Sequence, residues 1–344
     1  MAEKIGVGII GSGIIVRDSH LPAILSSPTL TLKAIFSRTL ASAQALTKDL
    51  QNVDLYSTDS SNSYTDLLAR NDIQTVIIAL PIPVQVSYIK QALTAGKYVL
   101  AEKPLAKDVA TSVELLKWYN SNIDTSKILF GVAENWRFTA VFVKAAQEVQ
   151  RFGKIQTFTA SVHFFLGPEE KHATTEWRRQ PEFQGGFLLD SGVHLVAVLR
   201  LILGGKGKVK KISAFVNSLR EHLPPADTVA ATVVLENGAT GTVAISFGST
   251  FFDGEWRVAC EGGTVGADVF TSELRTKAVG GEEVVASLPD EQNNVEQELA
   301  AWVKSIQSGE VESRLRPEEA LADVEIIEAM LKSGGRSVDL KYQP

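Results

Sequence analysis

Lys103 lies in the run Ala101-Glu102-Lys103-Pro104, directly after the apolar stretch Tyr98-Val99-Leu100. Strand ends are where open α/β sheets present chemistry, and an ammonium there can sit beside a bound cofactor. Farther along, Asp190 and His194 stand four residues apart, a spacing that puts both on one face of a helix. The other positions of that helix, Leu195, Val196, Val198, Leu199, Leu201 and Ile202, are apolar and belong in a core. An imidazole titrates near neutrality, so His194 is the candidate acid/base: it can take a hydroxyl proton as hydride leaves and return it in the reverse direction. Lys103 would stabilise developing alkoxide charge on the same oxygen. Asp190 would orient a substrate hydroxyl and balance the lysine. Each residue also has a plainer use: an aspartate caps a helix N-terminus well, a histidine can be a satisfied core residue, and a lysine can cap a strand-end carbonyl. The ordered triple favours the chemical reading. The remaining histidines, at 20, 163, 172 and 222, show no metal-ligand spacing, so no zinc site is expected.

The chain opens with a second chemical signature. Gly11-Ser12-Gly13-Ile14-Ile15-Val16 follows the apolar run Val7–Ile10. The first glycine permits a tight turn, the second lets backbone approach a pyrophosphate, and a following helix supplies amides and positive dipole. Val16 stands where a third Gly or Ala is usual, a position that governs helix packing rather than phosphate contact. Gly11, Ser12, Gly13, Ile14 and Ile15 are therefore the candidate phosphate-binding residues. An NAD site usually places Asp or Glu at the end of the second strand, where this chain has Ser37-Arg38-Thr39. A guanidinium fork flanked by hydroxyls suits a 2′-phosphate, which predicts NADP(H); stacking of Arg38 on adenine is the plainer alternative. Leu80 and Pro81, Glu102 and Lys103, and Trp177 and Arg178 complete the expected cofactor contacts. Glu102 is expected to pair with a neighbouring cation or amide rather than to act in catalysis. Trp177 and Arg178 could close over the nicotinamide or the substrate.

Apolar runs alternate with amphipathic stretches from Ile5 to about Ala133, the rhythm of parallel strands joined by helices. Strands are expected at Ile5–Ile10, Leu32–Phe36, Thr75–Leu80, Tyr98–Leu100 and Ile128–Val132. Helices are expected at Ala41–Lys48, Tyr64–Ala69, Val84–Ala95, which Gly96 would end, and Ala110–Asn120. After Asn135 come a helix near Val141–Phe152, a strand at Ile155–Phe165 and the apolar helix Asp190–Leu203. A series of β-branched runs follows, including Thr228–Glu236 and Ala239–Phe247 across an Asn237-Gly238 hairpin turn. Helices return at Val295–Gln307 and Pro317–Lys332. The expected fold is α/β: a doubly wound parallel sheet over residues 1–133, then an α+β domain with a large, mostly antiparallel open sheet over 134–344.

At 344 residues the chain exceeds one ordinary core, which agrees with two domains. Its 34 basic and 40 acidic residues give a net charge of −6 with no polybasic cluster, so neither nucleic acid nor an anionic membrane is an expected partner. Apolar runs are too short for a signal-peptide core or a membrane span, and the single cysteine, Cys260, has no internal disulfide partner. The expected location is cytoplasmic.

Together the glycine turn, Glu102-Lys103-Pro104 and the segment Gly185-Gly186-Phe187-Leu188-Leu189-Asp190-Ser191-Gly192-Val193-His194 resemble the glucose-fructose oxidoreductase/inositol dehydrogenase (Gfo/Idh/MocA) family. Val132-Ala133-Glu134-Asn135-Trp136 and Thr175-Glu176-Trp177-Arg178 look most like its small fungal members described as NADP(H)-dependent oxidoreductases. The resemblance implies a Rossmann domain followed by an open-sheet domain. It implies hydride transfer to or from a sugar, polyol or related small molecule, with Lys103, Asp190 and His194 at the catalytic positions. A homo-oligomer, dimer or larger, is implied through the open sheet face. Val16, Ile82 and Gln85 depart from the family pattern; many members carry Asn and His at the latter two. A catalytically silent sensor of the same fold, or an internal-redox or lyase enzyme holding its nicotinamide tightly, are the alternatives.

Overall fold

A computed structural model describes residues 4–289 and 294–344. The chain divides into two compact units, crossing from the first to the second between Asn135 and Trp136. Lys107–Val109 groups with the second unit, and a later stretch ending at Pro317 returns to the first.

The first unit carries six strands: β1 (Ile5–Ile10), β2 (Leu30–Ser37), β3 (Asp54–Ser57), β4 (Thr75–Ile78), β5 (Tyr98–Glu102) and β6 (Phe130–Ala133). Their helices are α1 (Leu21–Ser26), α2 (Leu40–Thr47), α3 (Tyr64–Leu68), α4 (Ile82–Thr94) and α5 (Val109–Asn122). The strands order as β3-β2-β1-β4-β5-β6, all parallel, so the winding reverses between β1 and β4. Such a reversal opens a crevice at the strands' carboxyl ends, and the glycine turn sits at one of them. Val7, Ile9, Ile10, Val76, Ile78, Val99 and Leu100 have no exposed surface, as continuous apolar strands between two helical layers should.

The second unit begins with α6 (Ala140–Phe152), β7 (Ile155–His163), the single turns α7 (Glu176–Arg179) and α8 (Phe187–Asp190), and α9 (Gly192–Leu203). It continues through β8 (Val209–Asn217), β9 (Thr228–Leu235), β10 (Thr240–Ser246), β11 (Asp253–Cys260), β12 (Gly263–Asp268), β13 (Glu273–Ala278) and β14 (Glu283–Ser287). After α10 (Asn294–Ser308), which lies in the first unit, α11 (Pro317–Ser333) and β15 (Val338–Asp339) complete it. The nine strands run β14-β13-β12-β11-β7-β10-β9-β8-β15, antiparallel except for the β7–β10 pair. Asn237-Gly238 makes the expected hairpin: Gly238 takes φ +87° and the Asn237 side chain accepts the Ala239 N–H. Alternate residues of β9, β10 and β11 are buried, so one face of this sheet meets helices. Trp256 on that face packs edge-on against Phe142 of α6 and donates its indole N–H to the Leu195 carbonyl of α9.

Two expectations are corrected. The helix at Val295–Gln307, placed in the second domain by its position along the chain, packs in the first unit as α10. Its Trp302 donates an indole N–H to Thr75 Oγ1 at 3.0 Å and lies over Gly131, where an added Cβ would come within 2.9 Å of the ring. An amphipathic stripe demands an apolar partner without naming which one. The helix expected over Asp190–Leu203 is broken at Ser191, so Asp190 ends α8 and His194 sits in the first turn of α9. Strands β3, β12, β14 and β15 escaped the sequence reading. β3 and β15 are only 4 and 2 residues long, and β14 is mostly exposed, so none shows a clear apolar alternation.

Candidate active site

In the first unit, Gly11 follows β1 with φ +125°, and an added Cβ would stand 2.2 Å from the Ala79 carbonyl oxygen. Only glycine fits there. Gly13 differs: an added Cβ would meet nothing within 4 Å, leaving open room above the turn of the kind a pyrophosphate needs. Ile14 and Ile15 begin the helical path, and Val16 is fully buried. The helix widens to a π turn over Val16–His20 before α1. Pro22 follows at once, with no N–H to give the preceding turn.

Ser12 and Ser37 hydroxyls share a 2.7 Å hydrogen bond, tying the glycine turn to the end of β2. Arg38 is exposed, and Thr39 caps α2 by accepting the Ser42 N–H. A carboxylate that the sequence reading missed stands here as well. Asp59, just past β3, accepts the Leu40 N–H at 2.8 Å and the Ser57 hydroxyl at 2.7 Å. Those two bonds, the serine's first, hold its pKa below the usual carboxylate value.

Leu80 and Pro81 are partly exposed beyond buried β4. Lys103 follows β5 directly, and its N–H donates to the Ala133 carbonyl at 3.2 Å. Glu102 pairs with His20, whose Nε2 lies 2.7 Å from Oε1. Its partner therefore comes from the helix that follows the glycine turn.

In the second unit, Gly185 and Gly186 both take positive φ, and a Cβ on Gly186 would stand 2.1 Å from the Pro224 carbonyl. This turn launches the helical turn that buries Asp190, 4 % exposed. Its Oδ2 accepts Arg178 Nε at 2.7 Å. The same guanidinium donates to Thr175 Oγ1 and lies over the Trp177 ring, 4.1 Å from its centroid. Trp177, Arg178 and Asp190 thus form one group, in which Arg178 pairs with the Asp190 carboxylate. His194 is half-buried and stacks on Trp136, 5.2 Å between centroids and 15° between planes. Behind them Arg137 pairs with Asp323, which also takes Arg200 at 2.9 Å. Burial opposes the charge on Arg200, yet Asp323 and Glu319 carry its pKa above the ordinary value. Among the described residues no cluster of three or more His, Cys, Asp or Glu could hold a metal ion.

Residues 5–125 match the model of an oxidoreductase family with an NAD-binding Rossmann fold, and residues 141–266 match that of the GFO/IDH/MocA C-terminal domain. The chain belongs to the Gfo/Idh/MocA oxidoreductase family. Among Gfo/Idh/MocA-type relatives, a dehydrogenase of Fusarium mangiferae, FPY6, is 37 % identical, with 98 % of each chain covered. A D-xylose 1-dehydrogenase (NADP(+)) of Haloferax volcanii is 26 % identical over 97 % of this chain and 99 % of its own. The crystal structure of an oxidoreductase from Thermotoga maritima superposes with a TM-score of 0.87 at 28 % identity, covering 98 % of both chains.

Proposed function

We propose that this protein is an NADP(H)-dependent oxidoreductase that moves hydride between nicotinamide and a carbonyl or secondary alcohol of a sugar, polyol or related small molecule. The observation that carries the reading is a lysine directly after β5, the strand that neighbours β4 at the switch point of a dinucleotide-type sheet. The bound nicotinamide supplies or accepts the hydride. The glycine turn from Gly11 to Ile15 would hold the pyrophosphate, with Leu80 and Pro81 farther along the crevice. Lys103 donates to the reacting oxygen and offsets its charge. His194, kept in plane by Trp136, takes or returns the proton on that oxygen. Asp190 would orient a substrate hydroxyl, and Trp177 with Arg178 would close one wall.

For NADP(H), the support is Arg38 between two hydroxyl residues after β2, and a relative whose name carries NADP(+). Asp59 works against it only weakly, because its charge already faces the Leu40 amide.

The test is a turnover screen with NADPH and NADP+ over aldoses, ketoses, inositols and dicarbonyls, repeated on Lys103→Met and His194→Ala. Both variants should bind cofactor normally while turnover falls by about 100-fold or more, the scale of losing an acid/base or oxyanion partner. Cofactor binding with no turnover on any substrate would put a silent sensor in place of the enzyme. Unchanged turnover in either variant would remove that residue from the mechanism.

A further inference from the structure

We propose that Gln85 and His20 are positioning residues that hold Lys103 from two sides, an inference that rests on the hydride-transfer reading above. Gln85, at the start of α4, is 1 % exposed and makes no contact with the cofactor crevice's glycine turn in the bonds it forms; its amide is spent on the backbone around the lysine. Nε2 donates to the Glu102 carbonyl at 2.6 Å and to the Pro104 carbonyl at 3.3 Å, the two carbonyls that flank Lys103. The lysine's own N–H is bonded to Ala133 on the neighbouring strand. One buried amide thus holds the peptide that enters Lys103 and the peptide that leaves Pro104, gripping the short segment around the lysine at both ends. Since four flexible methylenes follow the Lys103 Cα, the direction in which Cα launches them decides where the ammonium arrives.

His20 holds the segment from the other side. It has no exposed surface, and its Nε2 reaches Glu102 Oε1 at 2.7 Å. Its Nδ1 has no hydrogen-bond partner among the described residues, so the tautomer protonated on Nε2 leaves no buried donor unmet and donates to the carboxylate. His20 closes the π turn that continues from the glycine turn, and the 82-residue span between it and Glu102 makes this bond a tertiary tie. This bond therefore ties the helix that follows the glycine turn to the strand end that carries Lys103. A displacement of about 1 Å at a reacting group can cost about 100-fold in rate, so a clamp of this kind controls turnover without touching substrate.

The experiment uses Gln85→Met, which keeps length and removes the donor, and His20→Phe, which keeps a ring and removes its donor. Two readouts are taken: amide hydrogen exchange at Lys103, and steady-state turnover with NADPH alone and on a Lys103→Met background. The clamp predicts exchange at Lys103 faster by about tenfold while β1 and β4 amides are unchanged. It also predicts kcat lower by about 10- to 100-fold with KM and the NADPH dissociation constant within about threefold. Gln85→His, with a ring N–H in place of the amide, should recover most of the loss. On the Lys103→Met background neither change should cost anything further, because both act through the lysine. Losses that multiply on that background, a change in KM or cofactor affinity instead of kcat, or unaltered exchange in both variants would overturn the clamp. If one variant fails to fold, the other carries the same test. Faster exchange in an enzyme whose Lys103→Met form keeps full turnover would instead overturn the hydride-transfer role of Lys103, and the clamp's catalytic meaning with it.

Discussion

Arg38 and Asp59 put opposite charges at the head of α2, the first as the exposed residue after β2 and the second bonded to the Leu40 amide. Their balance should set the choice between the two dinucleotides. Arg38→Ala is expected to weaken NADPH binding by about 10- to 100-fold and NADH by much less, the scale of losing charge-assisted bonds to a phosphate. Asp59→Asn should shift the ratio the other way, toward NADPH. Fluorescence titration of both cofactors checks each, and equal loss of the two in Arg38→Ala would leave that residue only a stacking role. Arg38 could be read directly because it follows a legible strand. Asp59 could not, since its acceptor atoms meet an amide 19 residues upstream, across a strand pair that periodicity does not reveal. The same holds for Gln85. In the sequence it is only a departure from the family pattern, whereas the fold sends its amide to the carbonyls of Glu102 and Pro104.

At the level of elements, strands with continuous apolar runs and the Asn237-Gly238 hairpin were legible because their signals are local. The Gly185-Gly186 turn was legible as composition only. Its purpose, to let the chain pass against the Pro224 carbonyl and then bury Asp190, depends on a loop 38 residues later. The break at Ser191 escaped for the same reason: an apolar stripe continues through it, and only the tertiary bond from Arg178 to Asp190 marks the end of the first turn. The clearest element-scale consequence concerns α10. Trp302 is 1 % exposed and is bonded to Thr75 in the first sheet, so Trp302→Ala should cost about 3–5 kcal/mol of stability. Thermal melting should show this as loss of the first unit's cooperative transition and of cofactor binding with it. A variant that melts like the wild type would mean that α10 contributes nothing to that unit.

Across the whole molecule, polar ties between distant stretches supply part of each unit's cohesion. Glu328 of α11 accepts the Val109 N–H, the Gln184 amide and Lys332, joining three stretches of the second unit. Burial pushes its pKa up, but Lys332, the Val109 amide and Gln184 outweigh that and hold it below its ordinary value of 4.5. A carboxyl that titrates lower when folded stabilises fully above its unfolded value and loses that contribution as pH falls through the folded one. The melting temperature of Glu328→Gln should therefore lie below that of the wild type at neutral pH, and the gap should close as the pH drops below 4.5. A gap independent of pH would assign the loss to packing. The parallel sheet followed by a mostly antiparallel one, the glycine turn and the candidate pair Asp190 and His194 were determined by sequence alone as types and approximate positions, because turn chemistry and apolar periodicity act over a few residues. Tertiary structure decided which strands are neighbours, which unit receives α10, and which partners Glu102, Asp190 and Lys103 meet. Apolar burial is non-directional and fixes no partner, and hydrogen bonds acquire theirs only once the chain has brought remote atoms within 3 Å.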